Sequence, residues 1–252
     1  MFKRFVFIAS VLAALIIQTH ATDLVTVTRL GDGPIIHPKL DPSIGLNIQG
    51  PSVIRVPGWV KDPLGKYYLY FADHKGHYIR LAYADAITGP WKIHVPGTLR
   101  IEDSHYLTEP PSVTEEQRRE FNAFFSSTTE NFPHDRIIDL TVPHIASPDA
   151  HVDKANQRIV MYYHGLDALA SQVSRVAVSS DGINFTALPE VLGRTYWRAF
   201  DWQGDRYGLA MPGQFYRSQD PLGGFVPGPL LFNPKMRHSA VMVLDNQLWV
   251  FW

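Results

Sequence analysis

Cysteine is absent from all 252 residues, which excludes disulfides, thiolate metal sites and a cysteine nucleophile. An excess of one charge sign is absent too: 23 Lys and Arg face 24 Asp and Glu, a formal net charge of -1. That balance gives no electrostatic reason to expect nucleic acid or an anionic membrane as a partner. Long apolar runs are missing after the N-terminus. There, Lys3 and Arg4 precede an apolar stretch from Phe5 to Ile17, and Gln18-Thr19-His20-Ala21 follows it. A charged start, a short apolar run and a small residue before Thr22 are the pattern of a secretory signal peptide over residues 1–21. The run is shorter than the ~18 to 20 residues a spanning helix needs, so no membrane contact is expected once it is removed. The expectation is a secreted or periplasmic domain over residues 22–252, held by its core and sheet pairing.

What fills that domain is strand sequence. Short β-branched and aromatic runs recur between turn clusters, and helical periodicity is scarce. Aligned, the runs form a repeat. PSVIRV, KYYLYFA and YIRLAYAD, followed by Gly89-Pro90-Trp91, make one unit. PDAHVD, RIVMYYHG and SRVAVSSDG, followed by Phe185, make the next. WRAFDW, DRYGLAMPG and GQFYRSQD lead to Gly224-Phe225, and HSAVMVL with QLWVFW opens a fourth. Units of three to four strands at roughly 40 to 50 residues predict an all-β fold of the five-bladed β-propeller type. About three and a half blades are present on that repeat length. A closed ring would need about 80 to 100 further residues, so the chain is expected to be a fragment of a longer one. SSDGINF also matches the Asp-box turn seen in propellers. Residues 101–143 interrupt the repeat, and VTEEQRREFNAFFSS within them predicts a short helix capped by Ser112 or Thr114.

A four-stranded meander puts the start of its first strand and its second-to-third loop on one face. Gln49, Asp149, Trp197, Arg198 and His238 therefore share a face with Asp73, His74, Lys75, His164 and Gln214, and the insertion adds Glu109. Such convergence at a channel mouth is a common ligand site. Within HIASPDAHVD, alternation places Asp149, His151 and Asp153 on one side of the strand. His151 and Asp153 lie further from the mouth and are expected to be structural. No strong metal motif is present. No cofactor is required, although a structural cation such as calcium near the axis is compatible with the residues present.

NIQGPSVIRVPGW, GKYYLYFADHKGHYIRLAYADAITGPW and HIASPDAHVD resemble the five-bladed propeller glycoside hydrolases, the broad group containing glycoside hydrolase family 43. The resemblance runs from about Leu46 to Trp252. It implies an exported enzyme that cleaves glycosidic bonds in polysaccharide-derived glycans, expected to act on chain ends. It also implies three acidic residues around the mouth. Asp149 matches the acidic position of blade two. Blade one offers Gln49-Gly50-Pro51-Ser52 and blade three Trp197-Arg198, where the group has its other two acids. The working assignment takes Asp73 as base, Asp149 as the group that tunes or positions, and His238 or Glu109 as acid. Arg198 and Lys75 would hold sugar hydroxyls or a uronate, and Trp197 would stack on a pyranose. Gln49, His74, His164 and Gln214 complete the substrate contacts. The alternatives are a glycan-binding propeller without catalysis and an inactive truncated product.

Overall fold

The second strand of each repeat unit is apolar on both faces because each is covered on both faces. In this computed structural model the described residues are 26, 28, 29, 33–127, 136–232 and 235–252. The signal-peptide expectation at 1–21 lies outside them, and the sheets fall within the unit Pro34–Trp252. The first sheet is a meander of β1 (Ile48–Arg55), β2 (Tyr67–Asp73), β3 (Tyr78–Ala84) and β4 (Lys92–Arg100). A second contains β5 (Ile145–Asp153), β6 (Arg158–Ala168), β7 (Ser171–Ser179) and β8 (Thr186–Ala187). The third contains β9 (Arg198–Trp202), β10 (Asp205–Ala210), β11 (Gln214–Ser218) and β12 (Val226–Leu230). A hairpin of β13 (Ala240–Leu244) and β14 (Gln247–Phe251) comes last.

Alternation of side chains decides how the sheets stack. Tyr68 and Tyr70 of β2 pack with Ile159, Met161 and Tyr163 of β6. Leu69 and Phe71, on the opposite face of β2, meet Ile44 and Trp91. Val160 and Tyr162, the alternate residues of β6, meet Trp197, Ala199 and Ala210. Phe200, Leu209 and Phe215 then pack on Val241, Leu248 and Val250 of the hairpin. Sheets thus stack face to face in chain order, and each middle strand reads as a nearly continuous apolar run. The aromatic residue that comes after each third strand belongs to this core. Trp91 is buried, Phe185 sits edge-on to Tyr70 at 5.7 Å, and Phe225 sits edge-on to Trp197 at 4.9 Å.

The Asp-box-like turn is built by its aspartate. Asp181 Oδ1 accepts from the amides of Ile183 and Asn184, both at 2.8 Å. The turn presents the Gly182 carbonyl to the Tyr70 hydroxyl at 2.8 Å, which ties the second sheet to the first. Gly182 has φ +76°, and a Cβ there would lie 2.7 Å from Ile159 Cδ1. Both the backbone angle and the close approach require glycine.

The insertion contains a 3-10 turn at Ile101–Asp103, helix α1 (Glu115–Ser126) and helix α2 (Ile137–Thr141). Thr114 caps α1 in a reciprocal capping box with Gln117. None of the residues of α1 is buried. The start of the insertion is held firmly, because Tyr106 is buried in the core and its hydroxyl donates to Val173 O at 2.8 Å.

Candidate functional site

Each of the three meanders begins with the same local distortion. Gly50, Ser147 and Tyr196 have φ of +61°, +52° and +59°, and each lies two residues before a first-strand position that pairs in the same register. Those pairs are Ser52 with Tyr70, Asp149 with Tyr162 and Arg198 with Leu209. In β1 and β5 the register shifts across the distortion, which is a β-bulge that re-aims the strand start. Serine and tyrosine in left-handed backbone carry strain of order 1 kcal/mol or more each.

The three equivalent side chains do the same job. Ser52 Oγ accepts from Ala150 N of the next sheet at 2.9 Å. Asp149 Oδ2 accepts from Ala199 N of the next sheet at 2.7 Å. Arg198 Nε donates to Ser239 O, before the hairpin, at 3.0 Å, and its Nη1 donates to Pro148 O at 3.1 Å. Each first strand is latched to its successor at this position. Asp149 also takes the imidazole of His151 at 2.9 Å and lies 3.9 Å from Arg198. Burial pushes its carboxyl upward, but His151, Arg198 and the Ala199 amide outweigh it and hold the carboxyl below its ordinary value.

Beside this ring of latches opens a polar cavity with two adjoining lobes of about 440 and 580 Å³. His74, Lys75, Asp139 and Arg237 line both lobes. The start of β1 contributes Gln49, and the segments before β9 and β13 contribute Tyr196, Arg237 and His238. The second-to-third connections contribute His74, Lys75, Ala170 and Met211, the start of β7 contributes Gln172, and α2 contributes Asp139. Meander topology therefore does collect these segments at one end, and the insertion reaches the cavity through α2.

Cations and donors dominate the lining. Lys75, Arg136 and Arg237 face it, and Asp139 is its one carboxylate among the described residues. Lys75 Nζ lies 3.8 Å from Asp139 and Arg136 Nε lies 3.7 Å from it. Arg237 Nη2 and Nε donate to the Tyr196 hydroxyl at 3.0 and 3.3 Å. Burial lowers the Lys75 ammonium from its ordinary value, Asp139 offsets this in part, and Arg237 adds to it. Burial followed by Lys75 and Arg237 lowers His74, and burial followed by Arg237 and Arg198 lowers His238. Underneath, burial depresses His144 to about 4 and takes His164 well below its ordinary value. Among the described residues, no group of three or more His, Asp or Glu is placed to hold a metal ion.

Of the residues singled out by sequence, Gln49, His74, Lys75 and His238 line the cavity. Several others stand elsewhere. Asp73 turns toward the Gly45–Asn47 segment, where Oδ2 accepts from Asn47 N at 3.3 Å. Glu109 is exposed and lines none of the cavity. Trp197 is 1% exposed and packs on Tyr162 and Tyr216, so its faces are occupied by the core rather than open to a sugar. Arg198 is committed to the carbonyls of Ser239 and Pro148. His164 is buried against Tyr196 and His144 beneath the floor. Gln214 donates outward to Gly228 O at 2.6 Å. His151 binds Asp149, and Asp153 fixes a turn through Asn156 and Arg158.

Sequence reasoning passed over Tyr196, Asp139 and Ser52. Ser52 could have been found, because PSVIRV aligned on PDAHVD sets it beside Asp149. Asp139 carried no signal beyond its place in an insertion, and Tyr196 none beyond preceding Trp197.

No protein-family model matches the chain. Among curated proteins it is similar to the uncharacterized protein R118 of Acanthamoeba polyphaga mimivirus, 34% identical over 212 residues that cover 80% of this chain and 52% of that one. The chain spans about half the length of that curated relative. Among solved structures it is similar to an α-L-arabinofuranosidase from Clostridium thermocellum, at 16% identity and TM-score 0.47 over 80% of this chain and 59% of that one. It is also similar to a family 43 arabinoxylan arabinofuranohydrolase from Bacillus subtilis in complex with cellotetraose, at 17% identity and TM-score 0.48 over 79% of this chain and 41% of that one. In fold, what this chain is similar to is a set of glycoside hydrolases of family 43.

Proposed function

We propose that this chain is part of an exported, five-bladed propeller of the glycoside-hydrolase type whose polar mouth holds an oligosaccharide without cleaving it. One observation carries the reading. The repeat position where the sequence resemblance expects the acids holds Ser52, Asp149 and Arg198, and all three are engaged in inter-sheet contacts. Hydrolysis of a glycoside needs one group to protonate the leaving oxygen and an ionised partner across the bond. Asp139 alone among the described lining groups is a carboxylate. Burial and neighbouring cations lower the pKa values of His74 and His238, which disfavours the protonated form a general acid needs. What supports a saccharide ligand is the blade-motif resemblance, together with an open polar mouth rich in donors. The buried hydroxyaryl ring of Tyr196 forms part of its wall. The reading needs no cofactor.

A second reading is favoured by the pairing of Asp139 with Lys75 at 3.8 Å. Hydrolysis at a chain end would then use Asp139 as the ionised group and Lys75, its pKa lowered, as the acid. The binding reading is tested on a glycan array spanning plant and algal oligosaccharides. Wild-type protein is expected to retain a defined set of glycans, and Tyr196→Ala to weaken retention about tenfold or more by removing an aromatic contact and the partner of Arg237. Absence of binding to any glycan by folded wild-type protein would overturn it.

A further inference from the structure

Three hydrogen-bond donors at this mouth lack acceptors, and that imbalance says what kind of ligand would fit. Gln49 Oε1 accepts from Ser147 Oγ at 3.2 Å, while its Nε2 is buried with no partner. Lys75 Nζ, at 3.8 Å from Asp139, is too far for a hydrogen bond. Arg237 uses Nε and Nη2 on the Tyr196 hydroxyl, and Nη1 makes no hydrogen bond among the described residues. Gln49, Lys75 and Arg237 all line the lobe of about 580 Å³. Buried polar groups are almost always satisfied, so the orphaned Gln49 Nε2 points to an acceptor that arrives from outside, with the half-buried Lys75 and the exposed Arg237 beside it to share that acceptor.

The charge in the cavity argues the same way. In this lobe two cations, Lys75 and Arg237, stand beside one described carboxylate, Asp139. A neutral sugar would offer hydroxyls, which are donors as well as acceptors. A carboxylate or sulfate offers acceptors only, meets the Arg237 guanidinium with its own geometry, and lets Lys75 carry its charge more easily. We propose that the mouth is specific for acidic saccharides, with a uronate carboxylate or a sulfate ester seated between Lys75, Arg237 and Gln49. This rests on the saccharide reading above and narrows it to one class.

The test is calorimetric titration of the whole chain with size-matched oligosaccharides in three forms: uronate-containing, the same chains with carboxyls reduced to alcohols, and sulfated. Acidic members of either type are expected to bind roughly ten- to hundredfold more tightly than the reduced ones. The difference should shrink as salt is raised. Arg237→Gln and Lys75→Met should each erase most of that preference, weakening the acidic chains far more than the reduced ones. Whether the uronate or the sulfate binds more tightly identifies the source of the anion. Equal affinity for acidic and reduced chains would overturn the proposal and leave the saccharide reading standing. Binding of sodium sulfate alone as tightly as the sulfated oligosaccharide would overturn it as well, because the sugar would then contribute nothing. No binding of any of the three would sink the saccharide reading itself.

Discussion

Asp149 shows how a single conspicuous carboxylate can be structural. Its Oδ2 is met by both the His151 ring and the Ala199 amide, Arg198 lies 3.9 Å from Oδ1, and the carboxylate is buried among them. Removing one member of such a buried set leaves the others unpaired, and about 3 kcal/mol is the usual cost. Asp149→Ala should therefore lower the urea midpoint by an amount equivalent to about 3 kcal/mol, with glycan affinity of the folded protein within twofold of wild type. A larger change in affinity with unchanged stability would place Asp149 in the binding site. His144 makes a second prediction. Its folded pKa is about 4 against an ordinary 6.5, so between those values the unfolded chain binds the proton that the folded chain refuses. Stability must fall as pH drops through that window, by about 3 kcal/mol from this residue. His164, lowered still further, acts in the same direction. Urea midpoints measured from pH 7 to 4 should show the slope, and His144→Gln should flatten it. At this scale the sequence was half legible. Alternation along β5 placed His151 beside Asp149, because that is local geometry. Nothing local says that Ala199, 50 residues on, would bring its amide to the same carboxylate.

Elements were read more easily than residues. Short apolar and aromatic runs between turn clusters located the first three strands of each meander and the hairpin, because strand faces bury against neighbouring sheets. The bulges were not legible: glycine at position 50 announces a left-handed residue, whereas Ser147 and Tyr196 do not. The shared strain at these three positions became visible only when their register was compared. Helix α1 was legible because its capping box is a sequence signal. Thr114→Ala should remove that cap at a cost of about 1 kcal/mol to the helix. Since α1 buries nothing, the loss should stay local. Hydrogen exchange in Glu115–Ser126 should quicken about fivefold, while the global urea midpoint moves by less than its error. A matching global loss would mean that α1 packs in solution on something that stabilises the fold.

Across the whole molecule, the stack of sheets joins first strands at one end, and the latches of Ser52, Asp149 and Arg198 fix that end in place. Meander topology was enough to predict which segments meet there, since strand direction alternates whatever the side chains are. It could not tell which side chains at the meeting point turn inward. Trp197 entered the core, Asp73 turned to Asn47, and Asp139 arrived from α2 instead. The result is a mouth whose described lining has several cations and amides and one carboxylate. The most direct test tracks free sugar by mass spectrometry while an oligosaccharide retained on the array is incubated with the protein, alongside Asp139→Asn. The account predicts no release by either protein above a buffer control, with the glycan recovered intact. Release by wild type that Asp139→Asn abolishes would contradict it and establish a glycosidase whose carboxylate comes from the insertion.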